Sequence, residues 1–143
     1  MTHKTHQQSS LHMRQSILFN HLLHFFDEPY HFSQLEPVLT RKLTFSLRAL
    51  DFFVTNYAVK HNILLNGISI HSDYRCMLKA FSKKLFDPFC RRDRISVQFA
   101  CDPQRRTFCT TVAQLAFFRW AIQKGVLQYV DDHKDQICVC VKD

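Results

Sequence analysis

"RISVQFACDPQRRTFCT", Arg94–Thr110, decides the class of fold. Ile95, Val97 and Phe99 alternate with Arg94, Ser96 and Gln98, the period-two pattern of a strand with one buried face. "CDPQRR" carries an Asp-Pro turn signal, and "RTFCT" reads as the returning strand. Helical periodicity flanks this hairpin on both sides. Before it, Tyr74, Met77, Leu78, Phe81 and Leu85 form an apolar face with Arg75, Lys79, Lys83 and Lys84 outward; Ser72 or Asp73 can cap the start and Asp87-Pro88 the end. After it, Val112, Leu115, Phe118 or Arg119, and Ile122 keep helical spacing behind a Thr110 or Thr111 cap, and Gly125 stands where a left-handed C-terminal cap belongs. A hairpin between helices gives an α+β expectation: a single compact domain of three to four helices packed with a small antiparallel hairpin or sheet.

Further out, Leu47, Leu50, Phe53, Val54 and Tyr57 line a helix running from a Thr44 or Ser46 cap to about Lys60. Asn66-Gly67 marks a turn between short apolar runs. Ile17, Leu18, His21, Leu22, Phe25 and Phe26 form a short helix from Ser16, which Asp27-Glu28-Pro29 stops. "HFSQLEPVLTRK" (31–42) is expected to be irregular, because Pro37 biases Glu36 away from helix. "ICVCV" (137–141) reads as a final strand. Residues 1–15, polar and His-rich, read as a disordered arm, leaving 16–143 as the domain.

Bulk properties bound the function. The 143 residues suit one domain, and 14 Phe promise an aromatic core. No apolar run approaches the roughly 20 residues that span a bilayer, and the N-terminus lacks the apolar stretch of a secretion signal. The expectation is a soluble intracellular protein with no membrane partner. Its six cysteines make no recognisable disulfide framework and read as reduced thiols.

The net charge of +7 is unevenly placed. Residues 75–124 hold eleven of the 19 Lys and Arg against only Asp87, Asp93 and Asp102, a local net of +8. A concentrated positive field favours polyanions. "SKKLFDPFCRRDR" (82–94) supplies five of these cations around a Phe-Asp-Pro-Phe corner. The candidate phosphate-contacting residues are Arg75, Lys79, Lys83, Lys84, Arg91, Arg92, Arg94, Arg105 and Arg106, with Phe89 and Phe108 as stacking surfaces for bases. No helix-turn-helix, zinc-finger or RNP signature accompanies them, so sequence-specific readout is not expected.

An acidic viral or host protein, or a second copy of the chain, would suit the same charges, with Phe117 and Trp120 as anchors if "AFFRWAI" is not core helix. Other chemistry finds less support. Cys90, Cys101 and Cys109 with His71 are the best zinc set, but their spacing is poor, and no metal or cofactor is expected. Cys90 has cationic neighbours that suit a thiolate, yet only His61 or His71 could serve it as base. Glu28 and Glu36 are the sole Glu, which leaves Asp51, Asp73, Asp87, Asp93 or Asp102 for acid–base work. Two Gly cannot build a phosphate loop. The chain is expected not to be an enzyme.

Three ordered blocks, "SLRALDFFVTNYAVKHNI" (46–63), "YRCMLKAFSKKLFDPFCRRDRI" (74–95) and "TTVAQLAFFRWAIQKGVLQYV" (110–130), resemble a protein family of nucleocytoplasmic large DNA viruses. The resemblance covers roughly residues 43–131 and leaves out the His-rich arm and the "ICVCV" tail. Where family members show Gln-Leu-Asn-Phe-Phe, this chain carries Ala116 in place of the Asn. The family has no established biochemistry, so the resemblance implies a viral protein, in the infected cell or the virion, and no activity.

Overall fold

Side-chain caps set where several helices begin. Ser46 Oγ accepts the Ala49 N–H at 3.0 Å, Ser69 Oγ the Ser72 N–H at 3.4 Å, and Thr111 Oγ1 the Gln114 N–H at 3.1 Å. The computed structural model describes residues 9–141, which form seven helices and two antiparallel hairpins, an α+β architecture. In order these are α1 (Ser9–Phe26), α2 (Pro29–Leu39) and α3, whose segments Leu47–Phe52 and Ala58–Lys60 flank a π-helical turn at Phe53–Tyr57. Then come β1 (Leu64–Leu65), β2 (Ile68–Ser69), α4 (Ile70–Phe81), β3 (Ile95–Val97) and β4 (Phe108–Thr110). The chain closes with α5 (Val112–Gln123), α6 (Val126–Asp132) and α7 (Lys134–Val141).

Both turn signals act as expected. Asn66 and Gly67 take positive φ (52° and 78°) between β1 and β2, and β3 pairs with β4 in the register Ile95↔Thr110, Ser96↔Cys109, Val97↔Phe108. Gly125 caps α5 at φ +77°.

The helices exceed the three to four expected, and the reasons are local. Pro37 was expected to prevent a helix over 31–42, yet α2 forms. Pro29 starts it, and Glu28 caps it by accepting the His31 N–H at 3.0 Å. Pro37 sits near its end, where its missing N–H forfeits one bond, while Phe32, Leu35 and Val38 are buried at about 1.5–3 kcal/mol each. Burial wins. "ICVCV" is helix, not strand. Both sheets are two-stranded, and the segment packs on α3 with Ile137 fully buried. Residues 9–15 of the arm expected to be disordered belong to α1, and residues 1–8 lie outside the described residues. α4 ends at Phe81, earlier than Asp87-Pro88, because Ser82 turns the backbone to φ +62°.

One buried cluster joins these elements, with α5 at its centre. Leu115, Phe117, Phe118 and Trp120 are essentially inaccessible. Phe86 meets Phe117 at 5.2 Å and Trp120 at 5.7 Å between ring centroids, and Tyr74 closes the group. A second aromatic set, Phe26, Phe32, Phe99 and Phe108, seats the β3–β4 hairpin against α1 and α2. Trp120 Nε1 donates to Asp73 Oδ2 at 2.6 Å, which satisfies the buried indole. Ala116 is buried in the same helix.

Candidate nucleic-acid interface

The Phe-Asp-Pro-Phe corner is fastened to the start of α5. Phe86 is fully buried, and Pro88 is buried beside it. The Asp87 N–H bonds the Ala113 carbonyl (3.2 Å), and Asp87 Oδ1 accepts the Phe89 N–H (3.0 Å), an Asx turn that aims the chain outward. Gln114 Nε2 donates to the Pro88 carbonyl (2.9 Å), and Thr111 Oγ1 to the Cys90 carbonyl (3.4 Å). Arg91, Arg92 and Arg94 leave this corner exposed, and Arg94 Nε ties back to the Arg91 carbonyl at 3.3 Å. The corner is therefore a rigid mount for cations.

A groove of about 1160 Å³ runs along one side of it. Lys79 from α4, Lys83 and Lys84 from the following turn, and Arg91 and Arg92 from the corner line it. Arg14 with Ile17, Leu18 and His21 from α1, and Arg119 from α5, complete it. Asp87 and Asp93 are the acids that line it, and the part-buried Asp87 engages the exposed Lys83 at 3.7 Å. Arg119 is half-buried, and burial pushes its pKa down. It has no carboxylate within ion-pairing distance among the described residues. The guanidinium stays charged, so its desolvation is uncompensated and an anion in the groove would offset it.

A second groove of about 940 Å³ lies across the corner. Arg41, Arg91 and Arg94 line it with the hydroxyls of Thr44, Ser46 and Thr107, and no Asp or Glu does. Phe89, Cys90 and Arg91 border both grooves. Phe89 is 43% exposed, so it does not pin the corner to the core as its partner Phe86 does.

The nine residues singled out in the sequence thus divide. Lys79, Lys83, Lys84, Arg91 and Arg92 converge on the first groove, and Arg94 joins Arg91 at the second. Arg75 and Arg105 are exposed and line neither. Arg106 serves the fold: Nε meets Asp102 Oδ2 at 3.1 Å, and Nη2 meets Glu36 Oε2 at 2.7 Å. The Arg106 guanidinium holds the buried Asp102 carboxyl below the usual carboxylate range, helped by the Arg106 and Gln104 N–H groups. Phe108 is buried under Arg106, whose guanidinium carbon lies 5.2 Å from the ring centre, so it offers no stacking face. Phe117 and Trp120 are core, and "AFFRWAI" presents no anchors.

Sequence reasoning missed Arg14, Arg41 and Arg119. Arg14, Ile17, Leu18 and His21 do fall at helical spacing, a signal hidden by treating 1–15 as an arm. Arg119 stands at the edge of an apolar helical face, where spacing alone left Phe118 and Arg119 interchangeable.

The remaining candidates are engaged elsewhere. Cys101 Sγ contacts the Phe26 carbonyl, Cys109 Sγ receives Arg94 Nη1 at 3.7 Å, and His71 Nδ1 donates to the Val54 carbonyl of the π-helical turn. Among the described residues, no three His, Cys, Asp or Glu are grouped to hold a metal ion. Asp73 and Asp102 bond Trp120 and Arg106. The Asp51 carboxyl is pushed up by burial, against the pull of Lys83. Among the described residues no helix is long and apolar enough to cross a membrane.

A family model described as "Family of unknown function (DUF7197)" matches residues 3–143. The chain belongs to DUF7197. The DUF7197 match is wider than the three blocks suggested and takes in both the His-rich arm and the "ICVCV" tail, so neither lies outside the family. The chain is also similar to the uncharacterised protein L507 of Acanthamoeba polyphaga mimivirus, 36% identical over 98 residues, which covers 62% of this chain and 38% of the relative. It therefore spans well under half the length of that relative. Together these matches place the chain in a giant-virus protein family of unknown function, as the sequence blocks indicated. No solved structure matches it significantly.

Proposed function

We propose that this chain is a non-enzymatic viral protein that binds nucleic acid through phosphate contacts, without marked sequence preference. The observation that carries the reading is the first groove, where cations from α1, α4, the corner and α5 face one channel and outnumber its two acids. Each phosphate neutralised there releases condensed counterions, which makes binding favourable and salt-dependent whatever the bases. The exposed side chains that could reach base edges are long, flexible cations on a corner, not a protruding recognition helix, which fits backbone contact better than readout. The protein would act in the infected cell, in cytoplasm or nucleus, or in the virion.

The test is equilibrium binding of mixed-sequence DNA and RNA oligonucleotides across a salt series. Affinity should fall steeply with salt and differ little between sequences. No binding at about 50 mM salt, or binding indifferent to salt, would refute it. An acidic viral or host protein is the second reading, favoured by Met13 and Ile17, 62% and 55% exposed on α1 beside the cations. It is supported instead if a single stoichiometric partner is recovered after nuclease treatment.

A further inference from the structure

We infer that the nucleic acid is single-stranded and crosses the corner from one groove into the other, with a base stacked on Phe89. This deepens the proposed function and rests on it. Three observations point the same way. The cations line two concave grooves, which can take a lone flexible backbone; duplex phosphates lie on a stiff convex cylinder. The grooves meet at Phe89, Cys90 and Arg91, so a strand following the positive field from Lys79 and Arg119 towards Arg41 and Arg94 passes directly over the Phe89 ring.

That ring is held ready. Phe89 is 43% exposed on a turn whose backbone is fixed by Asp87, Gln114 and the buried Pro88. An exposed aromatic on a rigid mount loses little entropy when a base covers it, and any base has a face to offer. Bases inside a duplex are already stacked and cannot use it. The second groove adds Arg41 and Arg94 and has no Asp or Glu in its lining. Its Thr44, Ser46 and Thr107 hydroxyls are engaged by Asp131, the Ala49 N–H and Gln98, so the cations carry its attraction for a strand. Phe108, the other stacking candidate, is buried, and Phe81, which also lines the first groove, is only partly exposed, so Phe89 offers the most open ring of the basic segment.

The experiment is fluorescence anisotropy on the full chain with one mixed-sequence oligonucleotide, as single strand and as duplex. The proteins are the wild type, Phe89→Ala and Phe89→Trp. Phe89 is exposed, so both variants should fold, and matching circular dichroism and melting curves check this. The single strand should bind at least tenfold more tightly than the duplex. Phe89→Ala should weaken single-strand binding by roughly five- to 150-fold, the size of one lost base stack, and leave duplex binding and both salt slopes unchanged. Phe89→Trp should retain or strengthen single-strand binding. If single strand and duplex bind equally and with steep salt dependence, or if Phe89→Ala lowers both alike, this inference falls while phosphate binding stands. If neither form binds at low salt, both fall together.

Discussion

Removing three groove cations should change the salt dependence of binding as well as its strength. Seven cations line the first groove, and one, Lys83, is engaged by Asp87, which leaves six for phosphates. At about −0.7 per neutralised phosphate, the first groove should contribute about −4 to the log–log salt slope of a bound single strand. That is a share of about 300-fold in affinity between roughly 50 and 200 mM salt, to which Arg41 and Arg94 of the second groove add. Replacing Lys84, Arg91 and Arg92 together by Ala halves the count. That contribution should fall to about −2, and its share of the loss over the same range to about 20-fold, so the measured slope should become shallower by about 2. The control is Arg48→Ala, Arg75→Ala and Arg105→Ala combined, which removes the same net charge from exposed positions that line neither groove. It should keep a slope near that of the wild type. Anisotropy titrations at four or more salt concentrations measure all three. Equal slopes for the two variants would mean that overall charge, not the groove, attracts the ligand, and would refute the reasoning.

Other outcomes follow from the core. Asp102→Asn should lower the melting temperature at neutral pH. The folded-state pKa of Asp102 is depressed, so its stabilisation is present above the ordinary carboxylate value near 4 and is lost as pH falls through the folded value. The gap from wild type should therefore close on acidification, which melting curves from pH 7 to 3 would follow. Trp120→Ala should cost about 3–5 kcal/mol and Trp120→Phe only about 1–2, since the half-exposed Asp73 keeps Lys124 at 3.8 Å, as read by urea unfolding with circular dichroism. Gly125→Ala should cost about 1 kcal/mol in the same assay: nothing lies within 4 Å of the added Cβ, so only the left-handed backbone resists it.

The elements legible in the sequence are those whose signal is local. Alternation at Ile95, Val97 and Phe99, the Asn66-Gly67 pair and Gly125 each reflect backbone chemistry that tertiary packing left alone. The misread segments are those decided by what packs on them. Cys and Val in "ICVCV" favour a strand, but a strand needs an edge to pair with, and the segment meets α3 instead. Pro37 is a genuine helix breaker in the wrong place to break α2, where three buried side chains outweigh it.

The candidate site shows the same division. The density of charge between residues 75 and 124 is a property of the sequence, whereas its partition is a property of the fold. Arg105 and Arg106 are adjacent in the chain, yet one faces solvent and the other is held by Asp102 and by Glu36, seventy positions away. Only the fold could bring Arg14 from α1 and Arg119 from α5 to the same groove as Lys84 and Arg92.

The most direct measurement is hydrogen–deuterium exchange of the full chain with and without a saturating single-stranded oligonucleotide. The account predicts protection concentrated in 14–21, 79–94 and the Arg119 stretch of α5, with a second band at 41–46. Protection spread evenly over the molecule, or confined to surfaces away from both grooves such as the β1–β2 hairpin, would contradict it.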